Sequence, residues 1–151
     1  MNDLDEWGTV RLLTVAARLV EQNCNARLAE WDLTHAGLVL LTALLPGPAT
    51  QHDLGAVLLL EDQATSRAID RLERAGHVQR HRDARDRRRV RVSLTAGGRA
   101  ACLQAAGAGA GGERLDRDAA QDRIDPAALR TALAGIIRRH TAGTAADRTV
   151  R

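Results

Sequence analysis

Lysine, tyrosine and phenylalanine are absent from this 151-residue chain, and its only aromatic side chains are Trp7 and Trp31. An aromatic ligand would find few stacking partners besides those two indoles. Cysteine is scarce as well, with Cys24 and Cys102 alone. One pair cannot staple a fold of this size, so a disulfide scaffold is excluded and a reducing, cytoplasmic compartment is expected. Long apolar runs are missing: the longest, Leu38 to Leu45, falls far short of the roughly 18 residues of a membrane span. Asp3, Asp5 and Glu6 stand where a secretory leader carries basic residues, and no such leader is expected. The histidines at 35, 52, 77, 81 and 140 form no HExxH, and the cysteines form no CxxC, so no metal is expected. Neither a Ser-His-Asp order nor paired carboxylates make a case for catalysis. The chain does not read as an enzyme.

What is present is ordinary globular composition, 44% hydrophobic and 27% charged, which excludes wholesale disorder. From Leu4 to Glu30 an apolar stripe of Leu13, Ala17, Val20, Cys24, Leu28 and Trp31 recurs at helical steps. Thr34 caps a second helix carrying Leu38, Leu41, Leu44 and Leu45, ended by Pro46-Gly47-Pro48. Thr50 to Asp53 reads as a capping box opening a short helix with Leu54, Val57 and Leu58. After a turn at 59–61, Asp62 is the expected N-cap of a helix with Ala64, Ala68, Ile69 and Leu72 inward and Arg67, Arg71 and Arg74 outward. Gly76 terminates that helix. Two short helices joined by a tight turn are the outline of a helix-turn-helix.

Beyond Gly76 the period falls from 3.6 to 2. Val78 and Arg80 alternate before a polar loop, and Val90, Val92 and Leu94 alternate after it, which predicts a hairpin with one buried face. Thr95 caps a further helix through Leu103, weakened by the four glycines of residues 107–112. His77, beside the capping glycine, is expected at the surface. Asp125-Pro126 restarts a helix bearing Leu129, Leu133, Ile136 and Ile137. A disordered tail is expected from Thr141. Gly107, Gly109 and Gly112 have the spacing of a dinucleotide fingerprint, but they follow a helix instead of a strand, and no cofactor is expected.

All 22 cations are arginine, against 19 acidic residues, for a net charge of +3. Residues 80–91 hold seven Arg and two Asp, a local +5, so the rest of the chain sums to −2. A planar guanidinium fork on a projecting loop suits phosphate and groove contact. A solvated surface loop is the plainer reading of such a run, and the adjacent helix-turn-helix outline favours nucleic acid.

The stretch from Leu54 to Thr95 resembles the winged-helix core of the multiple antibiotic resistance regulator (MarR) family. The residues that carry the resemblance are Ser66-Arg67-Ala68-Ile69-Asp70-Arg71-Leu72-Glu73, Gly76-His77-Val78, Asp83-Ala84-Arg85-Asp86-Arg87-Arg88, Leu94-Thr95 and Gly98-Arg99. The resemblance implies a mainly α fold with a small β-hairpin wing, a winged helix-turn-helix core flanked by N- and C-terminal dimerisation helices. Residues 4–33 and 96–140 would supply those helices, and 34–95 the DNA-binding domain. It further implies a cytoplasmic homodimer on a pseudo-palindromic duplex operator, acting as a repressor released by a small-molecule effector. No membrane is implied.

Carried over by position, the recognition helix would offer Gln63, Ala64, Thr65 and Arg67 to base edges, with Ser66 and Arg71 on phosphates. In the wing, Arg88 would enter the minor groove with Asp86 orienting it, while Arg85 and Arg87 neutralise phosphates; a pair between Asp83 and Arg85 within the wing is the alternative for those two. Arg11, Leu12, Trp31, His35 and Leu38 would line an effector pocket, although Trp31 and Leu38 read equally as core. The chain departs from the family's pattern at Leu59, where glycine is common, at Glu61-Asp62, and in the glycine run. The alternative reading is a ligand or thiol-redox sensor working through protein contacts with weak DNA binding. Cys24 on an apolar stripe and the absence of tyrosine weigh against its redox form. Replacing Arg88 by Ala is expected to weaken operator binding at least about tenfold without unfolding the dimer; unchanged affinity in a fluorescence titration would remove Arg88 from the contact set.

Overall fold

The computed structural model describes residues 4–83, 86, 89–110 and 113–147. The chain forms two compact units, Met1–Gly111 and Gly112–Arg151. In the first, α1 (Thr9–Leu28) is followed by α2 (His35–Ala43), β1 (Ala49–Thr50), α3 (Gln51–Leu58), α4 (Asp62–Arg74), β2 (Val78–Arg82), β3 (Val90–Leu94) and α5 (Ala96–Gly107). The second contains α6 (Glu113–Gln121) and α7 (Pro126–Asp147).

Threonine hydroxyls begin three helices of the first unit, α2, α3 and α5. Thr34 accepts from the Gly37 N–H at 3.1 Å. Thr50 accepts from the Asp53 N–H at 3.2 Å while the Asp53 carboxylate accepts from the Thr50 N–H at 3.3 Å, completing the expected box. Thr95 accepts from Gly98 at 2.9 Å and donates to the Gly76 carbonyl at 2.6 Å. That second bond ties the start of α5 to the end of α4. The expected cap at Asp62 differs: Glu61 holds the extended N-cap conformation without a side-chain cap bond, and Asp62 is the first helical residue.

The core is aliphatic. Leu28, Leu33, Leu40, Leu41, Leu44, Leu54 and Ile69 are fully buried, with Val78 and Val92 from the sheet and Cys102 and Ala105 from α5. Each buried leucine contributes about 2 kcal/mol of transfer free energy. The indole of Trp31 packs against the edge of this cluster. Both cysteines are buried free thiols.

The sheet has one strand more than the expected hairpin. Its order is β1-β3-β2, all antiparallel, with Ala49 opposite Val92 and Arg80 opposite the same residue from the other side. A two-residue strand carries no readable alternation, which is why β1 escapes a sequence reading. The buried face closes with Val78 and Val92, whereas Val90 is exposed because the hairpin has by then left the body.

The helix end expected at Gly76 is met, the helix does break in the glycine run, and His77 and the C-terminal tail are corrected. Gly76 and Gly109 both adopt positive φ at helix C-termini. After each, the next N–H bonds five residues back, His77 to Leu72 at 2.9 Å and Ala110 to Ala105 at 3.0 Å. The glycine run therefore ends α5. His77 is not a surface residue: it is buried, and its Nε2 lies 2.8 Å from the Trp31 carbonyl oxygen. The helix expected to stop near residue 140 continues to Asp147, so 141–147 is helical where a disordered tail was expected. Asp125 caps α7 through the Ala127 N–H at 3.0 Å, and Arg130 pairs with Asp116 of α6 at 2.7 Å.

Close packing of α5 on the α4–β2 junction makes Gly98 sensitive. A Cβ there would lie 1.9 Å from the His77 carbonyl oxygen, which is main chain and cannot rotate away. Gly98→Ala is expected to lower stability by at least about 2 kcal/mol, read as a shifted urea midpoint. A midpoint like that of the wild type would show that α5 slides freely.

Candidate nucleic-acid interface

The turn between α3 and α4 is set by a residue with no glycine freedom. Leu59 adopts φ 52, the left-handed region, and the N–H groups of Leu59 and Leu60 bond to the carbonyls of Ala56 and Gly55 at 3.3 and 3.1 Å. Gly55 permits the close crossing, since a Cβ there would stand 2.9 Å from the Thr65 hydroxyl oxygen. Gln51 adds a bond from its Nε2 to the Asp62 carbonyl at 3.3 Å, joining the first turns of the two helices.

These contacts decide which face of α4 looks outward. Ile69 and Leu72 are buried, and so is Thr65, at 0% exposure, with its hydroxyl donating to the Glu61 carbonyl at 3.1 Å. Thr65 is therefore withdrawn from the base-reading set: the α3 crossing claims its side chain. Ala64, expected inward by periodicity, is exposed instead, together with Gln63, Arg67, Arg71 and Arg74, and Ser66 is half-buried. The outward face thus keeps Gln63, Ala64, Ser66, Arg67 and Arg71 from the expected set.

Beside that face stands the wing. Its base is knotted by Asp83, whose N–H donates to the Arg89 carbonyl at 2.9 Å and whose carboxylate takes the Asp86 N–H at 3.2 Å. The Asp83 carboxylate also lies 2.5 Å from Arg91 Nε, so β3 supplies its ion pair. Arg91 in turn donates to the Pro48 carbonyl beside β1 at 3.2 Å. Asp86 lies 3.5 Å from Arg89. The remaining wing positions, Arg85, Arg87 and Arg88, lie outside the described residues, as does any pairing of Asp83 with Arg85.

A second set of ion pairs was not anticipated. Arg80 of β2 meets Asp70 at 2.6 Å and Glu73 at 2.5 Å, both on α4. Burial works against its charged form, but the hydrogen bonds it donates to Asp70 and Glu73 outweigh it and hold the guanidinium above its usual pKa. The signal was present in the sequence as Asp70 and Glu73 at i, i+3 with Arg80 beyond the glycine cap, but only their juxtaposition reveals the pairing.

The five effector candidates do not converge within one chain. Leu38 belongs to the core, Trp31 packs on it, and the His35 N–H donates to Asn25 Oδ1 at 2.7 Å. Arg11 stacks 3.6 Å over the Trp7 ring, and Leu12 is exposed beside it. Those two sit roughly 25 Å up the α1 axis from Leu28. Among the described residues, no cluster of three His, Cys, Asp or Glu is placed to hold a metal, and no helix is long and apolar enough to cross a membrane.

Comparison with known proteins bears on this geometry. A family model described as "MarR family" matches residues 31–89, from the end of the first helical segment to the wing. The transcriptional regulator SarZ of Staphylococcus saprophyticus is 28% identical over 89 residues, 58% of this chain and 61% of its own length. The match thus spans less than two thirds of that relative. Among solved structures, the transcriptional repressor CouR bound to a 23-mer DNA duplex is 28% identical with TM-score 0.75, covering 91% of this chain and 96% of that one. A single-residue variant of MarR from E. coli, complexed with operator DNA, is 26% identical with TM-score 0.68, covering 90% and 99%.

Leu59 offers a direct check on the turn. Its side chain is 62% exposed, so glycine there would lose little packing while relieving the left-handed strain. Leu59→Gly is expected to raise stability by about 0.5–1 kcal/mol in urea unfolding; a loss would mean that the leucine is held by contacts.

Proposed function

We propose, from the match of residues 31–89 to the MarR family model and the likeness to solved MarR structures, that the chain is a MarR-family transcriptional repressor that binds a pseudo-palindromic duplex as a homodimer and is released by a small-molecule effector. One observation carries the reading: the exposed, arginine-bearing face of α4 lies beside a hairpin of local charge +5 on a chain of net +3. A recognition helix in the major groove with a cationic wing on the flanking phosphates is the docking such an arrangement favours. In this reading Gln63 and Arg67 face base edges, Ser66 and Arg71 face phosphates, and Arg85, Arg87 and Arg88 serve the wing with Asp86 as orienting carboxylate.

Uncovered apolar surface supports the homodimer. Val10, Leu12, Leu13 and Leu19 of α1 are exposed, Val10 at 80%, more than a solvated helix of this length needs to show. The effector reading is supported only by family likeness; a pocket using Arg11 and Leu12 together with Trp31 and His35 would need a second chain to complete it. The thiol-redox form of the sensor alternative is disfavoured, since Cys24 and Cys102 are at most 7% exposed and make poor targets for an oxidant.

Duplex binding is expected to weaken steeply with salt, with log affinity falling against log salt at a slope of about −4 or steeper. A slope near zero, or no binding to any duplex selected from a random-sequence pool, would overturn the reading.

A further inference from the structure

Within the basic stretch of residues 80–91, Arg80 stands apart. Strand alternation and the pairing of Arg80 with Val92 put it on the same sheet face as Val78, the face turned toward α4. Its side chain is 24% exposed, the least of the arginines in the ion pairs seen here. Three bonds converge on it from one helix. Nη2 meets Asp70 Oδ1 at 2.6 Å, Nη1 meets Glu73 Oε2 at 2.5 Å, and the Arg80 backbone N–H donates to Glu73 Oε1 at 3.1 Å. The i, i+3 spacing places both carboxylates on one strip of α4. Because Glu73 holds main chain and side chain of the same residue, it resists both sliding and rotation of β2 against the helix.

We propose that Arg80 is a positioning residue, a clamp whose grip on Asp70 and Glu73 sets the wing at a defined angle to α4 so that helix and wing engage adjacent grooves together. The inference rests on the DNA-binding reading above and deepens it. A duplex is a rigid template, so a helix and a wing that pivot independently each lose orientational freedom on binding. A pre-set pair has already lost it. The clamp also accounts for two of the carboxylates on the arginine-bearing helix α4. By charge alone, Asp70 and Glu73 oppose phosphate, and removing them would tighten binding. As partners of Arg80 they must do the reverse.

The test uses the full chain and two probes, a duplex selected by the wild type from a random pool and a scrambled duplex of equal length. Asp70→Asn with Glu73→Gln adds two units of positive charge, yet the selected duplex is expected to bind at least about fivefold more weakly, with the scrambled duplex bound as well as before or better. Tighter binding of both duplexes would overturn the clamp. Arg80→Gln is expected to weaken the selected duplex with no change in salt slope, while Arg80→Lys recovers part of the loss. A slope lowered by about 0.9 would make Arg80 a phosphate contact and overturn the proposal. Spin labels at the exposed positions Arg67 and Arg82, diluted into unlabelled protein, give a readout without DNA. Their distance distribution should broaden in Arg80→Gln, whose far-UV circular dichroism and size are checked against the wild type. An unchanged distribution sinks the clamp even if DNA binding holds. A broadened one with no duplex bound by the wild type sinks the DNA-binding reading and keeps the clamp.

Discussion

Burial of α2 is the constraint on which the rest of the structure depends. Leu38, Leu40, Leu41 and Leu44 are all inside, and the helix packs against α1, α3, α4 and α5. An element enclosed on so many sides must present side chains that interdigitate in every direction, and unbranched-Cβ leucine does that in a helix at little conformational cost. Gly37 shows how tight the packing is, since a Cβ there would lie 3.2 Å from a methyl of Leu72. With α2 fixed, Ile69 and Leu72 of α4 have one place to go, and the opposite face of α4 is left to solvent. The outward presentation of Gln63, Arg67 and Arg71 is thus a consequence of leucine packing on the far side of the helix.

Backbone geometry at the helix ends supplies the next level of order. Gly76 and Gly109 take left-handed conformations at the ends of α4 and α5, where glycine has no Cβ to clash. Asp32, Leu59 and Arg123 do the same job without that freedom, at φ 54, 52 and 60. Non-glycine residues hold such a conformation only where surrounding hydrogen bonds over-determine it. Around Leu59 those bonds run to Ala56 and Gly55, and the adjacent crossing of Gly55 and Thr65 leaves no alternative path for the chain.

Charge is partitioned in a way the net figure conceals. Of the arginines between 80 and 91, Arg80 is engaged by α4 and Arg91 by Asp83 and the Pro48 carbonyl. Both are spent inside the molecule, where they join strand to helix and wing base to strand. The formal +5 already subtracts Asp83, so it is Arg80, whose carboxylate partners lie on α4, that lowers what the hairpin presents outward. Surface ion pairs add little to stability when isolated. Their value here is geometric, because each one joins two segments at points outside the hydrophobic core.

Most of the helices, their threonine caps, the glycine end at 76, a weak point in the glycine run and the hairpin were legible in the sequence, because each rests on a local rule: a repeat of 3.6 or 2, a hydroxyl before a helix, a residue free to take positive φ. Helix α4 could be bounded near Asp62 and Gly76 for the same reason. Which residues on it face outward was legible only in part. Periodicity places Ile69 and Leu72 inward without ambiguity, but Ala64 and Thr65 are small and adjacent, and the crossing of α3 at Gly55 decides between them. His77 reads as polar and therefore exposed, yet the Trp31 carbonyl 46 positions earlier accepts it in the interior. Strand β1 and the Arg80 pairs are likewise pairings between distant segments. Local chemistry along the chain determined the elements and the sign of their faces; only the tertiary structure decided which small or polar residues those faces would keep, since that choice is made by partners the sequence does not place nearby.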